Sequence, residues 1–510
     1  MPRATDQELA LEEDQELRDE SKFEVGMMKG FTVQTGIGSG GFGALYRVRR
    51  DSDYATYIIK LVYAGTDITD PPPRLDAPVM REIDFLMRLK HPNVMSGLQF
   101  EIVKDNSMAS ILMPLMGGDL TNNSNSRIPK NRIRFSFERR VTIFQKILCG
   151  LRYLHDNFII HCDLKPQNIL MDQKSLDVRI TDFGTSVNMG ASMKVLNEGT
   201  RVSENWRPME LWNFEGVKCK PPYFGTGVDI YGLGLLGLWL VFDINPLMET
   251  VHTPFKLQGK PSPAMFDLFI LLGFQTDLGV DPDYERSERD EDVQFMLNII
   301  GNPKDYFQRN AINIEALPKA KNFLNFVLGM CRPKEAERPT ATELLNTFPK
   351  GIVNPLDFED GCLNSKIEYP EVSIRYTDWF TPKMRQELID RISTVTEKSD
   401  EMTLMAIDLL DQVGSNLSSE GIDEDILVIT VIMIAAAVFG EDFEPEGVAE
   451  LLDIDYPSGY GEGSSSIIEL LKGRMYRPTL DMVSGIGTEE ALKIAKEYLS
   501  PSNVIFKKIT

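Results

Sequence analysis

Cysteine and histidine are scarce in this chain of 510 residues, which contains five cysteines and four histidines. The five cysteines are scattered at positions 149, 162, 219, 331 and 362, and no two of them have the Cys-x-x-Cys spacing of metal and redox sites. A disulfide framework and a structural zinc site are therefore not expected. Scattered, unpaired cysteines are typical of a reducing compartment, so we expect an intracellular protein, in the cytoplasm, the nucleus or both.

Positive charge and long apolar runs are also in short supply. The formal net charge is −22 at pH 7, so the chain repels phosphate backbones and nucleic acid is not an expected partner. The acidic excess would attract basic protein substrates, or it serves solubility alone. The longest apolar run, Ile426–Val438, is too short to span a bilayer and is typical of a buried helix. Because the N-terminus has no signal-peptide core, we expect no membrane association.

The periodicity of apolar residues changes along the chain. Residues 1–22 are rich in Glu and Asp and lack apolar periodicity, which predicts a solvated tail or an exposed helix. An amphipathic helix is predicted at Val79–Lys90, and strands are predicted at Phe31–Ile37, Ala44–Arg49, Tyr57–Val62, Ser96–Val103 and Ser110–Met116. After residue 117 the pattern is mostly helical. The helix predicted at Val228–Phe242 is apolar nearly all round, as expected for the middle of a core.

A glycine cluster and two charged residues indicate a site for phosphates. Gly38, Gly40 and Gly43 lie between two predicted strands, so they predict a β-hairpin lid and not the helix-opening loop of dinucleotide-binding folds. Alone, such a cluster is also typical of a flexible hairpin. Lys60 and Glu82 follow it. Taken singly each is an ordinary surface charge, but together they predict a buried ion pair that directs Lys60 towards the α- and β-phosphates of a nucleotide.

Two short motifs carry the predicted chemistry. The first, HCDLKPQN at 161–168, contains Asp163, Lys165 and Asn168, and the second, TDFG at 181–184, contains Asp182. Asp163 would accept a hydroxyl proton, Lys165 would offset charge on the transferring phosphoryl group, and Asn168 and Asp182 would hold Mg²⁺. This set is what phosphoryl transfer from a magnesium nucleotide requires. The alternative is an ordinary Asn/Asp turn.

These motifs, in this order, resemble the eukaryotic-type protein kinases over about residues 28–350. The resemblance implies an α+β fold, with a small antiparallel β lobe and a large helical lobe, and the use of ATP and Mg²⁺. It implies that Asp229 holds the catalytic loop. It further implies that the adenine ring meets four apolar side chains, those of Ile37, Leu45, Met116 and Leu170. The DLKPQN loop is similar to that of serine/threonine kinases, so protein hydroxyls would be the substrates.

A narrower resemblance joins the two halves of the chain. The segment 76–83 (DAPVMREI) and the following His91-Pro92-Asn93 resemble the cyclin-contacting helix of cyclin-dependent kinases. Three later segments, Met402–Asp411, Asp425–Asp442 and Pro445–Asp453, resemble successive helices of a cyclin box. This implies an intramolecular cyclin-like partner that presses the Glu82 helix inward. An ordinary helical bundle, or a docking bundle unrelated to cyclins, would show similar periodicity. The lysine that cyclins usually carry falls near Ala437 here.

We therefore expect an acidic tail (1–27), a kinase N-lobe (28–116), a kinase C-lobe (117–352), a linker (353–372) and an all-α cyclin-like domain (373–505). The predicted function is a serine/threonine protein kinase that is activated in cis by its own cyclin-like domain. The alternative is a nucleotide-binding scaffold, or pseudokinase, that recruits partners through the C-terminal helices. A kinase and a cyclin box in one polypeptide would suit a large DNA virus.

The chain departs from the kinase pattern at the residue before the catalytic aspartate. Cys162 replaces an arginine that normally pairs with a phosphorylated residue of the activation loop. If Ser203 takes the place of the usual substrate-loop threonine, Glu198 falls where the phosphorylated residue would be. Glu198, paired with Arg81, would then order the loop without phosphorylation, or it is an unrelated surface residue.

Overall fold

The computed structural model describes most of the two predicted lobes and of the C-terminal helices. The described residues are 28–40, 43–63, 77–103, 108–121, 135–172, 174–190, 195–196, 202–203, 206–208, 211, 223–242, 317–332, 334–353, 374–396, 399–417, 422–439, 441, 443–476 and 488–497. The predicted acidic tail, Glu198 and nearly all of the predicted linker lie outside them. The described residues fall into two compact units, the first within 28–89, 96–115 and 374–497, and the second within 90–95 and 116–353.

The five predicted strands and the helices predicted at Val79–Lys90 and Val228–Phe242 are present in the predicted order. The strands are β1 (Phe31–Gly40), β2 (Gly43–Arg50), β3 (Thr56–Tyr63), β4 (Gln99–Val103), β5 (Met108–Pro114), β6 (Ile159–Ile160), β7 (Ile169–Met171), β8 (Val178–Ile180), β9 (Val187–Asn188), β10 (Val195–Leu196) and β11 (Tyr223–Phe224). The helices are α1 (Ala77–Arg88), α2 (Phe137–Asp156), α3 (Gly227–Phe242), α4 (Leu317–Met330), α5 (Ala341–Asn346), α6 (Pro382–Thr396), α7 (Asp400–Gly414), α8 (Glu424–Phe439), α9 (Pro445–Leu451), α10 (Tyr460–Leu470) and α11 (Thr488–Glu497).

The first unit contains a five-stranded antiparallel sheet in the order β1-β2-β3-β5-β4. Alternate residues of β2 (Ala44, Tyr46 and Val48) are buried, because successive side chains of a strand point to opposite faces. They pack with Ile59, Leu61 and Leu112 of neighbouring strands in one apolar cluster. The prediction of an α+β fold with an antiparallel sheet is confirmed, and each predicted strand is present with its bounds shifted by a few residues.

The C-terminal helices of this unit surround α8. Every residue of α8 from Ile426 to Val438 is buried, so the helix predicted from the longest apolar run is confirmed. Around it pack α6, α7, α9, α10 and also α1, the helix that carries Glu82. Among the described residues no helix is both long and apolar enough to cross a bilayer.

A buried ion pair ties α6 to α7. Arg385 donates from Nε to Oδ1 of Asp411 (2.6 Å) and from an Nη to Oδ2 (2.7 Å), and its side chain is 1% exposed. A third bond from Arg385 reaches the carbonyl of Ala495 on α11, at 3.0 Å. Burial raises the pKa of Asp411 to about 6, and Arg385 acts in the opposite direction. Because this pKa lies below 7, the carboxyl group is mostly ionised at pH 7.

The second unit is built on two long helices. The helix α2 begins at Ser136, whose side chain accepts a hydrogen bond from the backbone N–H of Arg139. The helix α3 is buried on nearly all sides, as its apolar sequence predicts. The helix α4 packs on α3, and Phe323 of α4 makes an edge-to-face contact with Phe144 of α2.

We predict that Arg385→Ala destabilises the protein by about 3–5 kcal/mol, because it leaves the Asp411 carboxylate buried without its cation. Lys383→Ala on the same helix breaks an exposed pair with Glu387 and should leave stability nearly unchanged. Urea unfolding of both variants, followed by circular dichroism, measures the difference. Equal stability of the two variants would show that the buried pair contributes nothing.

Candidate active site

Three predicted nucleotide-contacting residues stand side by side on the sheet of the first unit. In the strand register Gly38 lies opposite Leu45, and Leu45 lies opposite Lys60. Residues directly opposite each other in a sheet share a face, so the three form one row across β1, β2 and β3. Ile37 lies at a shift in the β1–β2 register and is 52% exposed.

Gly43 is the glycine of the lid for which no other residue fits. Its φ is +124°, and a Cβ atom there would lie 2.0 Å from the carbonyl oxygen of Leu61. The close approach of β2 to β3 therefore requires glycine at this position. Gly40 lies opposite Gly43 in the register, and the two residues between them lie outside the described part of the chain. The strand–glycine–strand arrangement agrees with the hairpin predicted from the sequence.

The predicted ion pair between Lys60 and Glu82 is present. Lys60 Nζ lies 2.7 Å from Glu82 Oε1, and the two residues are 9% and 3% exposed. Lys60 comes from β3 and Glu82 from α1, so the pair depends on how α1 packs against the sheet. Desolvation of two charges offsets much of their attraction, so the pair fixes positions more than it stabilises the fold.

In the second unit a single carboxylate organises the loop that begins at His161. Asp229, near the start of α3, accepts hydrogen bonds from the backbone N–H groups of His161 (2.7 Å) and Cys162 (2.8 Å). Its Oδ2 also lies 3.0 Å from Nε2 of His155. These bonds hold Cys162 in the left-handed region, with a φ of +66°, which a residue with a side chain adopts only under constraint. The role predicted for Asp229 agrees with this geometry.

Asp163 lies in a cluster of polar side chains that keep it ionised. Lys165 Nζ bonds Asp163 Oδ2 (2.5 Å) and Ser203 Oγ (2.9 Å), and the backbone N–H of Ser203 lies 3.2 Å from Asp163 Oδ1. Burial alone would raise the pKa of Asp163. The hydrogen bonds from Lys165 and Ser203, with the charge of Lys165, outweigh burial and hold that pKa below its usual range.

Asn168 and Asp182 present oxygen atoms of the kind that Mg²⁺ prefers. The amide nitrogen of Asn168 donates to the backbone carbonyl (2.8 Å) and to Oδ2 (3.0 Å) of Asp163, so the amide oxygen is the atom turned away from that aspartate. The backbone N–H of Thr181 donates to the carbonyl of Asn168 at 2.9 Å, which joins the two motifs. Asp182, with a φ of +66°, follows directly. An amide and a carboxylate oxygen fit Mg²⁺, which commonly takes only one or two protein ligands and completes its shell with water and phosphate.

Two predicted adenine contacts belong to the second unit. Met116 follows β5 and is half-buried, and Leu170 is half-buried at the centre of β7. Leu170 forms a bridge with Asp119, so the chain segment after Met116 runs beside β7. The contact of both residues with a nucleotide stays a prediction.

Cys162 does not take over the role of the arginine that it replaces. Its side chain is 1% exposed and lies in an apolar cluster with Val187, Met189, Val195 and Val202, among others. The thiol lies 3.8 Å from the carbonyl oxygen of Ile160. The site is therefore packed with apolar side chains where the kinase pattern predicts a cation.

The comparison with known families is decisive for the fold that carries these groups. A family model described as "Protein kinase domain" matches residues 31–348. The chain belongs to the protein kinase family. The matched residues include every site residue named above, from Ile37 to Asp229.

Known kinases that resemble this one do so at modest identity. The CTD kinase subunit alpha of Saccharomyces cerevisiae is 28% identical over 258 residues, which is 47% of this chain and 44% of the relative. Cyclin-dependent kinase G1 of Arabidopsis thaliana is 25% identical over 239 residues, 46% of this chain and 37% of the relative. The serine/threonine-protein kinase nekl-2 of Caenorhabditis elegans is 28% identical over 231 residues, 44% of this chain and 62% of the relative. The kinase therefore matches less than two thirds of the length of each.

Sequence analysis missed several residues that lie on or against α1, the helix that carries Glu82. Asp84 and Arg88 on α1, and Gly473 after α10, were not singled out. The acidic–basic spacing of Asp84 and Arg88 was a usable signal for an ion pair on one helix face. Gly473 follows a helix, which indicates a helix end but not what the glycine packs against. Glu198 lies outside the described residues, and Arg81, its proposed partner, donates to the carbonyl of Ala437 at 3.2 Å.

The hydroxyl of Ser203 should set the acid limit of activity. Ser203→Ala keeps the backbone N–H bond to Asp163 but removes the hydroxyl, whose hydrogen bonding lowers the pKa of Asp163, so that pKa should rise and the carboxylate should be protonated at a higher pH. We expect the acid limb of the kcat/KM–pH profile to move to higher pH, while Ser203→Thr, which keeps the hydroxyl, leaves it in place. Identical acid limbs in wild type and Ser203→Ala would contradict this role.

Proposed function

We propose that the protein is an ATP- and Mg²⁺-dependent serine/threonine protein kinase, activated in cis by its C-terminal helical domain. The observation that carries the catalytic part is the cluster of Asp163, Lys165, Asn168 and Ser203. It combines an ionised proton acceptor, a cation and an amide on one loop, whose backbone is held by Asp229.

The proposed proton transfer follows from the state of Asp163. A carboxylate whose pKa is held low is an acceptor throughout the neutral range, so it can orient a substrate hydroxyl and take its proton. Lys165, bonded to Asp163, is in position to offset negative charge on the phosphoryl group. Mg²⁺ bound by Asn168 and Asp182 would supply further charge compensation. The bond between Asn168 and Asp163 keeps the proton acceptor and the proposed metal ligand at a fixed distance from each other.

The proposed nucleotide contacts are the ones that the sequence predicts. In the first unit Lys60, held by Glu82, would bind the α- and β-phosphates beneath the lid of Gly38, Gly40 and Gly43. The apolar side chains of Ile37, Leu45, Met116 and Leu170 would contact the base. Serine/threonine specificity rests on the DLKPQN loop and on relatives with that printed specificity. With this specificity, the substrates would be proteins that carry serine or threonine hydroxyl groups.

Activation in cis is supported by the contacts of α1 within the first unit. The helix α8 of the C-terminal domain packs against α1, and Arg81, the neighbour of Glu82, donates to the carbonyl of Ala437 near the end of α8. Any partner that fixes α1 also fixes the Lys60–Glu82 distance. Tethering gives such a partner an effective concentration on the order of millimolar for a short linker, so no separate protein would be needed.

Catalysis is tested with a peptide array and radiolabelled ATP. We expect wild-type protein to label serine and threonine peptides, and Asp163→Asn to lose about 10²-fold or more of that activity because the proton acceptor is gone. Gln167→Ala, a change at an exposed residue of the same loop, is the matched control and should label normally. Labelling that survives Asp163→Asn unchanged comes from a contaminant and would favour the alternative of a non-catalytic nucleotide-binding scaffold.

Activation in cis is tested by separating the domains. A chain that ends at residue 355 should lose most of its kinase activity, because α1 loses its covering helices. Activity should return in part when residues 370–510 are added as a separate chain. Equal activity of the full and shortened chains would refute activation in cis while leaving the kinase assignment intact.

A further inference from the structure

The helix α1 has a second charged face, and that face is buried. Arg81, Asp84 and Arg88 follow the spacing i, i+3, i+7 and so lie along one stripe of the helix. Their exposed fractions are 8%, 1% and 2%. Asp84 lies two residues from Glu82, which is about 200° around a helix, so the two carboxylates face nearly opposite sides. Glu82 faces Lys60, and Asp84 faces the C-terminal domain.

Asp84 joins α1 to the backbone that follows α10. Its Oδ1 accepts hydrogen bonds from the N–H groups of Met475 (2.8 Å) and Tyr476 (3.0 Å). Its Oδ2 accepts two bonds from Arg88, at 2.8 and 3.0 Å. Bonds to an ionised acceptor are about twice as strong as those between neutral groups. Arg88 in turn lies over the ring of Tyr476, 4.3 Å from its centroid.

Gly473 allows this backbone to approach α1 closely. Its φ is +66°, and a Cβ atom there would lie 2.8 Å from Cγ2 of Ile83, 3.0 Å from Cγ of Met87 and 3.1 Å from a ring carbon of Phe100. Gly473 also donates its N–H to the carbonyl of Ile468, which ends α10. The position therefore requires glycine both for its backbone conformation and for its packing.

We propose that residues 472–476, here called the clamp segment, set the position of Glu82 by gripping the opposite face of α1, with Asp84 as the positioning residue. This inference deepens the proposed function, and its link to catalysis rests on it. A rotation or outward shift of α1 would break the two backbone bonds to Asp84 and open the contact at Gly473. The clamp segment thereby resists the movements that would separate Glu82 from Lys60.

The test introduces a methyl group on the side of the interface that is remote from the catalytic groups. Gly473→Ala should push the clamp segment away from Ile83 and lower kcat/KM for ATP by about tenfold or more, because small misplacements of catalytic groups are costly. Gly447→Ala is the matched control, since a Cβ there meets nothing within 4 Å. It should leave kcat/KM unchanged.

A double-mutant cycle separates positioning from general stability. If Gly473 acts through Glu82, Gly473→Ala should cost little further activity in a Glu82→Gln background. A loss that is as large in that background as in wild type overturns the proposal. Asp84→Asn keeps the size of the side chain, weakens its bonds to the clamp segment and should show the same non-additivity. It therefore carries the test if Gly473→Ala fails to fold.

Hydrogen–deuterium exchange gives a readout that needs no catalysis. We expect amide exchange in residues 77–88 to be faster in Gly473→Ala than in wild type and Gly447→Ala, under conditions where all three are folded. Unchanged exchange overturns the clamp even if the protein is an active kinase. Faster exchange in a protein without kinase activity would support the clamp while the proposed function fails.

Discussion

The packing of the first unit depends on one constraint, which is that the charged side chains of α1 are buried and each must be paired. Every described side chain of this helix is buried except that of Met87, which is half-buried, although four of the residues are charged. When a single helix packs on a sheet, its outer face lies in water, where a charged side chain has no desolvation cost. Here neither face is in water, so each charge needs a partner on its own side. Lys60 serves Glu82 on the sheet side, and the clamp segment, with the end of α8, serves the other.

The second unit solves a related problem with hydrogen bonds to backbone. Asp229 is 1% exposed and accepts two backbone N–H groups and a histidine, so one buried carboxylate fixes a loop that no regular ladder supports. The strain at Cys162 is tolerated because its N–H is one of those donors. Asn168 links this loop to the second motif. Its side chain donates to the carbonyl of Asp163, and its own carbonyl accepts the N–H of Thr181, which precedes Asp182.

Local sequence patterns were sufficient for the five strands of the sheet, for the long apolar helices and for the catalytic loop, but not for the short strands β6 to β11. Period-2 alternation in β2 and the unbroken apolar run of α8 determine which faces are buried without reference to distant residues. The Asp163–Asn168 contact lies within six residues, so its spacing alone predicts it. The second face of α1 was not predictable in this way. Its cover comes from residues nearly 400 positions later, and no periodicity in α1 distinguishes a charge in water from one bonded to distant backbone.

The contact of Arg81 with Ala437 shows what pattern matching does not detect. The sequence offered Glu198 as a partner for Arg81, which stays a prediction, and it left in doubt the contact near Ala437, where cyclins usually carry a lysine. In the structure the cation comes from α1 and the acceptor is a main-chain carbonyl. A carbonyl near the end of a helix lacks an intrahelical donor and carries partial negative charge, so it can accept an arginine whatever its own side chain is. The identity of residue 437 therefore carries little information about the contact that it makes.

At Cys162, apolar packing takes the place of a charged side chain. The cluster around it consists of apolar residues from β6, β9, β10, β11 and α3 together with Met189, Val202 and Leu211, so its contacts are those of apolar packing. The described parts of the segment between the TDFG motif and α3 are instead held by burial, which contributes roughly 25 cal/mol for each Å² of apolar surface removed from water. Unlike a phosphate–arginine pair, this term does not depend on a modification. Burial in this cluster therefore helps to position Val202, the neighbour of Ser203, without a modification.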